Sequence, residues 1–160
     1  MRHIISVLLE NESGALSRVA GLFSARGFNI ESLTVAATND TTLSRMTIVS
    51  VGDDSVIDQI VKQLDKLIDV VKVTDLTATE HIERELLLVK VDVDPNTQAD
   101  IDRLIDKYAG KILDASEDTY LIELAGQSKK INDFLNAIDA SKILEVSRTG
   151  VTGVCQRRED

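Results

Sequence analysis

The chain has 160 residues, 43% of them hydrophobic, a formal net charge of −9 and a single cysteine, Cys155. A chain of this length can bury a core without disulfides or a structural metal, and its dispersed acidic residues disfavour nucleic-acid binding, since only Arg157-Arg158 is locally basic. No signal peptide is recognisable and no apolar run approaches the roughly 18 residues of a membrane-spanning helix, so we expect a soluble, cytoplasmic protein.

The first half of the chain predicts the element order β-α-β-β-α-β. Between Ala15 and Arg26, apolar residues recur at helical spacing, with Ser13 as the expected N-cap and Gly27 just beyond the last turn. Elsewhere, apolar runs and period-two alternation predict strands. The predicted elements are strand Ile4–Leu9, helix Ala15–Arg26, strands Ile30–Ala37 and Leu43–Val51, a helix with Ile57, Ile60, Val61, Leu64 and Ile68 on its apolar face, and strand Val70–Leu76.

The second half repeats this order after a polar stretch, Thr77 to Arg84. The fold class is therefore predicted as α+β, with two tandem ferredoxin-like βαββαβ domains over residues 1–77 and 78–160, each an antiparallel sheet with both helices on one face. Such small units leave a sheet face and edge strands open, so we expect a homodimer. The repeated elements are strand Glu85–Val93, a helix marked by Ile101, Leu104, Ile105 and Tyr108 and ended by Gly110, strands Ile112–Ala115 and Thr119–Ala125, a helix marked by Ile131, Phe134, Leu135 and Ile138, and strand Ile143–Val146.

The sequence carries no recognisable catalytic arrangement. It contains no nucleophile elbow, P-loop, dinucleotide fingerprint or Cys-x-x-Cys motif. Its two histidines, His3 and His81, lie near the chain start and in the join between the halves; a histidine at a strand start is more often an edge residue than a catalyst. These features disfavour an acid-base enzyme.

A possible metal loop is also rejected. Asp92, Asp94 and Asn96 match the first three ligands of a calcium-binding loop, but Thr97 and Arg103 replace its turn glycine and its bidentate glutamate. The segment is interpreted instead as a solvated loop before a helix capped by Asn96 or Thr97. No metal ligand is assigned.

The segment from Glu10 to Leu16 is the candidate ligand-binding loop. A polar turn with a glycine between a strand and a helix leaves backbone N–H groups open at the helix start, where the helix dipole favours a small anion such as an amino-acid carboxylate. Gly14 allows close approach to the backbone, and the Asn11 side chain offers a donor and an acceptor. The alternative from this pattern alone is an ordinary βα turn with a capping serine.

A longer motif separates these alternatives. The segment NESGALSRVAGLFSARGFNIESLTVA, followed by LSRMTI, resembles the N-terminal ACT domain of acetolactate synthase small subunits. The similarity covers most of the first 80 residues and continues more weakly through Gly126 to Arg148-Thr149-Gly150. Many ACT domains share the loop glycine, whereas GFNIESL together with LSRMTI is characteristic of this family.

The resemblance implies a non-catalytic regulatory role. Members of the family activate a separate catalytic subunit, on which thiamine diphosphate, Mg²⁺ and FAD are expected, and they confer feedback inhibition by valine or another branched-chain amino acid. No cofactor is expected on this chain. The first domain is expected to bind the effector and to activate, and the second to be regulatory.

The resemblance also implies where the effector binds, between the N-terminal ACT domains of two protomers. Matching positions assign Asn11, Gly14, Ala15 and Leu16 from one protomer, facing Asn29 and Ile30 from the other. Two alternative functions are an amino-acid sensor acting on another enzyme or on transcription, and a small enzyme on a ferredoxin-like fold. The first is weakened by the absence of a helix-turn-helix or basic region, the second by the missing catalytic residues.

Overall fold

The computed structural model describes residues 1–157, which form two compact units. The first unit comprises residues 1–83 together with residues from Val151 onward, and the second comprises residues 84–150. Strands β5 and β8 each run through a boundary between the units. The elements are β1 Arg2–Glu10, α1 Ala15–Ala25, β2 Ile30–Ala37, β3 Leu43–Val51, α2 Asp54–Leu64, β4 Val70–Asp75, β5 His81–Asp92, α3 Gln98–Tyr108, β6 Lys111–Ala115, β7 Thr119–Gly126, α4 Ser128–Ala137 and β8 Ile143–Cys155, with short 3₁₀ turns at Leu76–Ala78 and Ala140–Lys142.

The first unit is a four-stranded antiparallel sheet in the order β2-β3-β1-β4. Alternate residues of the inner strand β1, including Ile5 and Val7, pack with α1 and α2 in one core. A smaller cluster lies on the opposite sheet face, where Ile4 and Val49 contact Val151 from the end of β8. Because β1 is covered on both faces, it is a nearly continuous apolar strand. The main core is formed by Ile5, Val7, Leu9, Ala15, Val19, Leu22, Phe23, Met46, Ile48, Ile57, Ile60 and Leu64.

The second unit repeats the topology with the sheet order β6-β7-β5-β8. Residues of β5 and β7 alternate toward α3 and α4, and Phe134 of α4 is fully buried against Tyr108 in an edge-to-face ring contact at 5.6 Å. The core is separate from that of the first unit and contains Leu87, Val89, Val91, Val93, Ile101, Ile105, Tyr120, Ile122, Leu124, Ile131, Phe134 and Ile138. Two βαββαβ units, the predicted fold class, are thereby confirmed.

Helix α2 ends earlier than its apolar spacing predicted. The helix stops at Leu64, and the backbone bends through Leu67 into β4, which begins at Val70. Leu67 packs partly against the core, whereas Ile68 is 89% exposed. The prediction that Ile68 lies on the apolar helix face was therefore wrong, because the connection to β4 needs these residues outside the helix.

Helix ends also differ from the predicted caps. The N-cap of α1 is Gly14 and not Ser13, and no side chain caps the helix. Gly27 has the expected positive φ, 68°, after α1. In the second unit, the left-handed residue that ends α3 is Ala109, with φ 52°, and Gly110 follows it.

The last strand is longer than predicted, and the compact units end elsewhere than the predicted domains. Strand β8 runs from Ile143 to Cys155 and not to Val146, and its residues from Val151 onward belong to the first unit. There the Gly153 N–H donates to Thr47 Oγ1 at 3.3 Å. Part of the open sheet face of the first unit is therefore covered by this C-terminal segment. Arg158, the second member of the predicted basic pair, lies outside the described residues.

Candidate functional site

The loop between β1 and α1 has the open helix start that the sequence predicted. Gly14 has φ 88° and ψ −8°, a left-handed conformation that strains residues with a Cβ. The Ala15 N–H donates to Glu12 O, and the first intrahelical bond runs from Arg18 N to Gly14 O. Within residues 1–157 we find no acceptor for the intervening N–H groups of Leu16 and Ser17. These two donors, at the positive end of α1, suit a carboxylate.

Asn11 is fixed at the base of this loop. Its backbone N–H donates to Thr42 O at 2.8 Å, and its side-chain Nδ2 donates to Thr41 O at 3.0 Å. The amide is thus tied to the β2–β3 turn, and its Oδ1 is an acceptor on an exposed loop. Asn11 can therefore accept a hydrogen bond from a ligand ammonium group without moving.

Ala15 and Leu16 have different roles. The Ala15 side chain is 3% exposed and belongs to the main core, so it can meet a ligand only through its backbone. The Leu16 side chain is 45% exposed beside the loop and offers apolar surface. Of the predicted loop residues, Leu16 is the one whose side chain could contact an aliphatic group.

An ion pair between Arg18 and Asp69 lies beside the ligand loop. Arg18 Nε and Nη2 donate to the two carboxylate oxygens of Asp69, the Nη2 bond being 2.8 Å long. Asp69 is 6% exposed, and its backbone oxygen accepts from Glu10 N at the end of β1. The hydrogen bonds from Arg18 lower the pKa of the Asp69 carboxyl, which keeps it charged. A Cβ on Gly14 would lie 3.1 Å from Arg18 Nη1, so this pair borders the ligand loop directly.

Sequence reasoning missed this pair. Arg18 lies four residues after Gly14 on a helix, where a solvated arginine is ordinary. Asp69 lies 51 positions further along the chain, so no local spacing connects the two. Only the pairing of β1 with β4 brings Asp69 beside α1.

Asn29 and Ile30 lie far from the loop within one protomer. Ile30 pairs with Ser50 at one end of β3, whereas Glu10 pairs with Leu43 at the other. Seven residue steps of a strand span about 24 Å at roughly 3.4 Å per residue. The six predicted site residues therefore form two groups at opposite ends of one sheet. Whether a ligand joins them stays a prediction.

The second group, Asn29 and Ile30, is held by contacts within its own protomer. Asn29 is exposed; its Nδ2 donates to Glu31 Oε1 at 2.6 Å and its carbonyl oxygen accepts from Ser50 Oγ at 2.7 Å. Ile30 is half-buried against the main core. Asn29 Oδ1 is left as an acceptor at the start of the edge strand β2.

The two histidines have different surroundings. His3 is 3% exposed on the inner strand β1, so its interpretation as an edge residue was wrong. Its Nε2 lies 3.6 Å from Asp54 Oδ1, while His81 Nδ1 lies 2.9 Å from the Thr79 carbonyl oxygen. Neither lies at the ligand loop.

A lysine bridges two carboxylates of the aspartate-rich segment in the second unit. Lys142 Nζ donates to Asp92 Oδ2 at 2.8 Å and to Asp94 Oδ2 at 2.7 Å. The bond from Lys142, with further bonds from the N–H groups of Asn96 and Thr97, lowers the pKa of Asp94 to about 2. An ammonium group thus stands where the calcium-loop comparison would place a cation. Within residues 1–157, no group of three or more His, Cys, Asp or Glu side chains could hold a metal ion.

Comparisons with known proteins identify the family. Residues 5–72 match the family described as the AHAS small subunit-like ACT domain, and residues 84–157 match the family described as the small subunit of acetolactate synthase. The chain is 54% identical over 155 residues to the acetolactate synthase isozyme 3 small subunit of Escherichia coli strain K12, covering 96% of this chain and 95% of that protein. The chain belongs to the acetolactate synthase small-subunit family.

More distant members agree with this assignment. A probable acetolactate synthase small subunit of Archaeoglobus fulgidus is 47% identical over 150 residues, covering 94% of each chain. The crystal structure of the acetolactate synthase small subunit from Thermotoga maritima superposes with a TM-score of 0.90 at 38% identity, covering 99% of both chains. The family predicted from the sequence motifs is confirmed. None of the helices described in residues 1–157 is long and apolar enough to cross a bilayer.

Proposed function

We propose that this small subunit is a non-catalytic regulator that activates the catalytic subunit of acetolactate synthase and makes it sensitive to valine. Its membership of the small-subunit family supports a partnership with a catalytic subunit. Thiamine diphosphate, Mg²⁺ and FAD belong to that partner. In this proposal the first unit binds the effector and activates, and the second is regulatory.

The main support for an effector site shared between protomers is that its two groups of residues, the loop of Asn11 and Gly14 and the pair Asn29 and Ile30, lie at opposite ends of β2 and β3. Strand β2 is at the sheet edge, and it carries no charged residue from Ser32 to Ala37. Natural edge strands usually carry charges that prevent pairing, so this edge is suited to pairing with another copy. A two-fold axis perpendicular to the sheet would join the β2 strands of two protomers antiparallel.

Such a dimer completes the site. Ala37, at the end of β2, pairs with Ser44, one residue from the Leu43 that pairs with Glu10. Antiparallel pairing of β2 with its copy puts the start of the partner's strand beside this end. Asn29 and Ile30 of the partner subunit then face the loop of Asn11 and Gly14. Each dimer has two such sites.

Each part of valine finds a complementary group there. The carboxylate accepts from the N–H groups of Leu16 and Ser17, with Gly14 leaving room for it. The ammonium group donates to the Oδ1 atoms of Asn11 and of the partner's Asn29. The isopropyl group packs on Leu16 and on Ile30 of the partner subunit. The ligand is held by both protomers, and it therefore favours one dimer arrangement over another.

Regulation requires that valine bind two arrangements of the complex with different affinity. Typical coupling free energies of about 1–3 kcal/mol correspond to roughly 5- to 150-fold changes in affinity. This coupling is reciprocal. If valine lowers the stability of the active form of the complex by a given factor, then the active form binds valine more weakly by the same factor.

The primary test is an assay of the catalytic subunit of the same organism with and without this protein, each across a valine titration. We expect higher activity with the protein and valine inhibition only in its presence. Activation without valine sensitivity would contradict the effector assignment and retain the partnership. Unchanged activity at saturating protein would refute the regulatory function.

A mixing experiment tests whether the site is shared between protomers. Gly14→Asp and Asn29→Ala variants are each expected to lose high-affinity valine binding as homodimers, because both of their sites are damaged. After unfolding and refolding together, half of the dimers are mixed, and each mixed dimer has one site with both residues intact. Calorimetry should then find about one quarter of the wild-type binding capacity, because an isologous dimer has two equivalent sites. A site within one protomer would give no recovery.

A further inference from the structure

A cavity of about 440 Å³ lies on the open sheet face of the first unit, away from the ligand loop. In the described part of the chain, its lining includes three basic side chains, Arg45, Lys72 and Arg157, and no carboxylate. The protein as a whole has a net charge of −9. Arginine side chains on a concave surface favour an anionic ligand.

Strand register builds the cavity. Arg45 of β3 and Lys72 of β4 both pair with Leu8, one on each side of β1. Two strand spacings put their Cα atoms about 10 Å apart on the same face. In the next row, Ser6 pairs with Thr47 and Thr74. The two basic residues thus lie one row away from a row of hydroxyl-bearing residues on the same face.

The C-terminal segment closes one side of the cavity. Gln156 N donates to Glu80 O at 2.8 Å, which holds the end of the segment against the first unit. Arg157 is then placed at the cavity and forms an exposed ion pair with Glu80 at 3.0 Å. An exposed ion pair contributes only about 0–1 kcal/mol, so a more highly charged anion can displace it.

The polar groups suit an oxyanion with several oxygens. Arg45 Nη1 donates to Ser6 Oγ at 3.2 Å, and no described carboxylate pairs with Arg45. Ser6 is 3% exposed, so its hydroxyl is fixed at the floor of the cavity, where it accepts from Arg45 and can also donate. The guanidinium fork of arginine matches two oxygens of a phosphate group. The apolar side chains Leu76 and Val154 also line the cavity and leave a wall for an organic group.

We propose that this cavity binds a phosphate-bearing small molecule, with the phosphate held by Arg45 and Arg157 and its oxygens accepting from the hydroxyl groups of Ser6 and Thr74. The volume falls within the roughly 300–1,000 Å³ usual for small-molecule sites and exceeds what one inorganic phosphate fills. The site is distinct from the amino-acid loop, and it does not depend on the proposed valine binding.

The test uses the full chain and two probes, inorganic phosphate and ribose 5-phosphate, each titrated by calorimetry at low ionic strength. We expect saturable binding that weakens about ten- to a hundredfold in Arg45→Gln and Arg157→Gln, since each removes a charge-assisted hydrogen bond. Arg45→Lys keeps the charge without the fork and should lie between wild type and Arg45→Gln. All three substitutions are at exposed positions, and thermal melting checks that each variant folds.

The matched control is Arg103→Gln, which removes the same charge from an exposed position on α3 in the second unit. Its phosphate affinity should equal that of the wild type. Tighter binding of ribose 5-phosphate would identify the apolar wall as part of the site, whereas equal affinities would restrict the site to the phosphate group. Absence of saturable binding at millimolar concentration of both probes would overturn the proposal, as would an equal loss in Arg103→Gln.

Discussion

Gly14→Asp separates the electrostatic role of the ligand loop from its backbone geometry. Three effects are expected at this position. A side chain in the left-handed conformation costs about 1–2 kcal/mol, less for asparagine and aspartate, which adopt it more readily. The new Cβ meets Arg18 Nη1 at 3.1 Å, so Arg18 must shift. The carboxylate then lies close to the valine carboxylate.

The charge effect is expected to dominate. Two like charges about 5 Å apart repel by roughly 3 kcal/mol at an effective dielectric constant of 20, which is about two orders of magnitude in affinity. Arg18 offsets part of this repulsion if it turns from Asp69 to the new carboxylate. We therefore expect valine affinity to fall between ten- and a hundredfold, by more than the backbone strain alone would cause.

Gly14→Asn is the matched control, because it has nearly the same shape and conformational preference without the charge. Calorimetric titration of valine onto both variants and the wild type measures the difference, and reconstitution with the catalytic subunit measures inhibition and activation. Valine inhibition should be lost in Gly14→Asp while activation largely persists. Equal affinity loss in both variants would refute the electrostatic argument, and joint loss of activation and inhibition would show that Gly14 is structural.

Three further predictions concern the dimer edge, the second core and the lysine bridge. Ala36→Lys places a long cation on the uncharged edge of β2 and should weaken dimerisation at least tenfold in sedimentation experiments. Phe134→Ala removes a fully buried ring and should destabilise the second unit by about 3–5 kcal/mol in urea unfolding, while valine still binds the first unit. Lys142→Met should raise the pKa of Asp94 from about 2 toward 3.8 in a carboxyl NMR titration. Because the folded-state pKa of Asp94 is depressed, its stabilising contribution is complete above about pH 4 and is lost as pH falls toward about 2, so this acid sensitivity should shrink in the variant.

Each of these has its own control and contrary outcome. Ala36→Ser keeps the edge uncharged and should dimerise normally; an unaffected Ala36→Lys dimer would exclude β2 as the interface. If Phe134→Ala abolished valine binding, the two cores would not be independent. The backbone N–H groups of Asn96 and Thr97 still favour the ionised Asp94, so its pKa should stay below 3.8 in Lys142→Met. An unchanged Asp94 pKa would show that the lysine bridge does not form in solution.

Local patterns predicted most of the fold. Strand β2 begins and ends where its alternation predicted, and α1 differs from its prediction by one residue. The errors lie at the ends of elements, as at Ile68 and at the α1 cap. There the path of the chain depends on the position of the next strand or helix, which a local pattern does not contain. The family was recognisable from two short motifs, because they combine a loop, a helix end and a strand in one fixed spacing.

The sequence by itself determined two βαββαβ units, an open helix start at Gly14 and membership of the small-subunit family. Tertiary structure alone decided three features: the Arg18–Asp69 pair under the loop, the return of residues from Val151 to the first unit, and the grouping of Arg45, Lys72 and Arg157 around one cavity. These features join residues far apart in the sequence, such as Arg18 and Asp69, 51 positions apart, and strand register and chain return bring them together. A local pattern reports which face of an element is apolar, but it contains no information on which distant strand pairs with it.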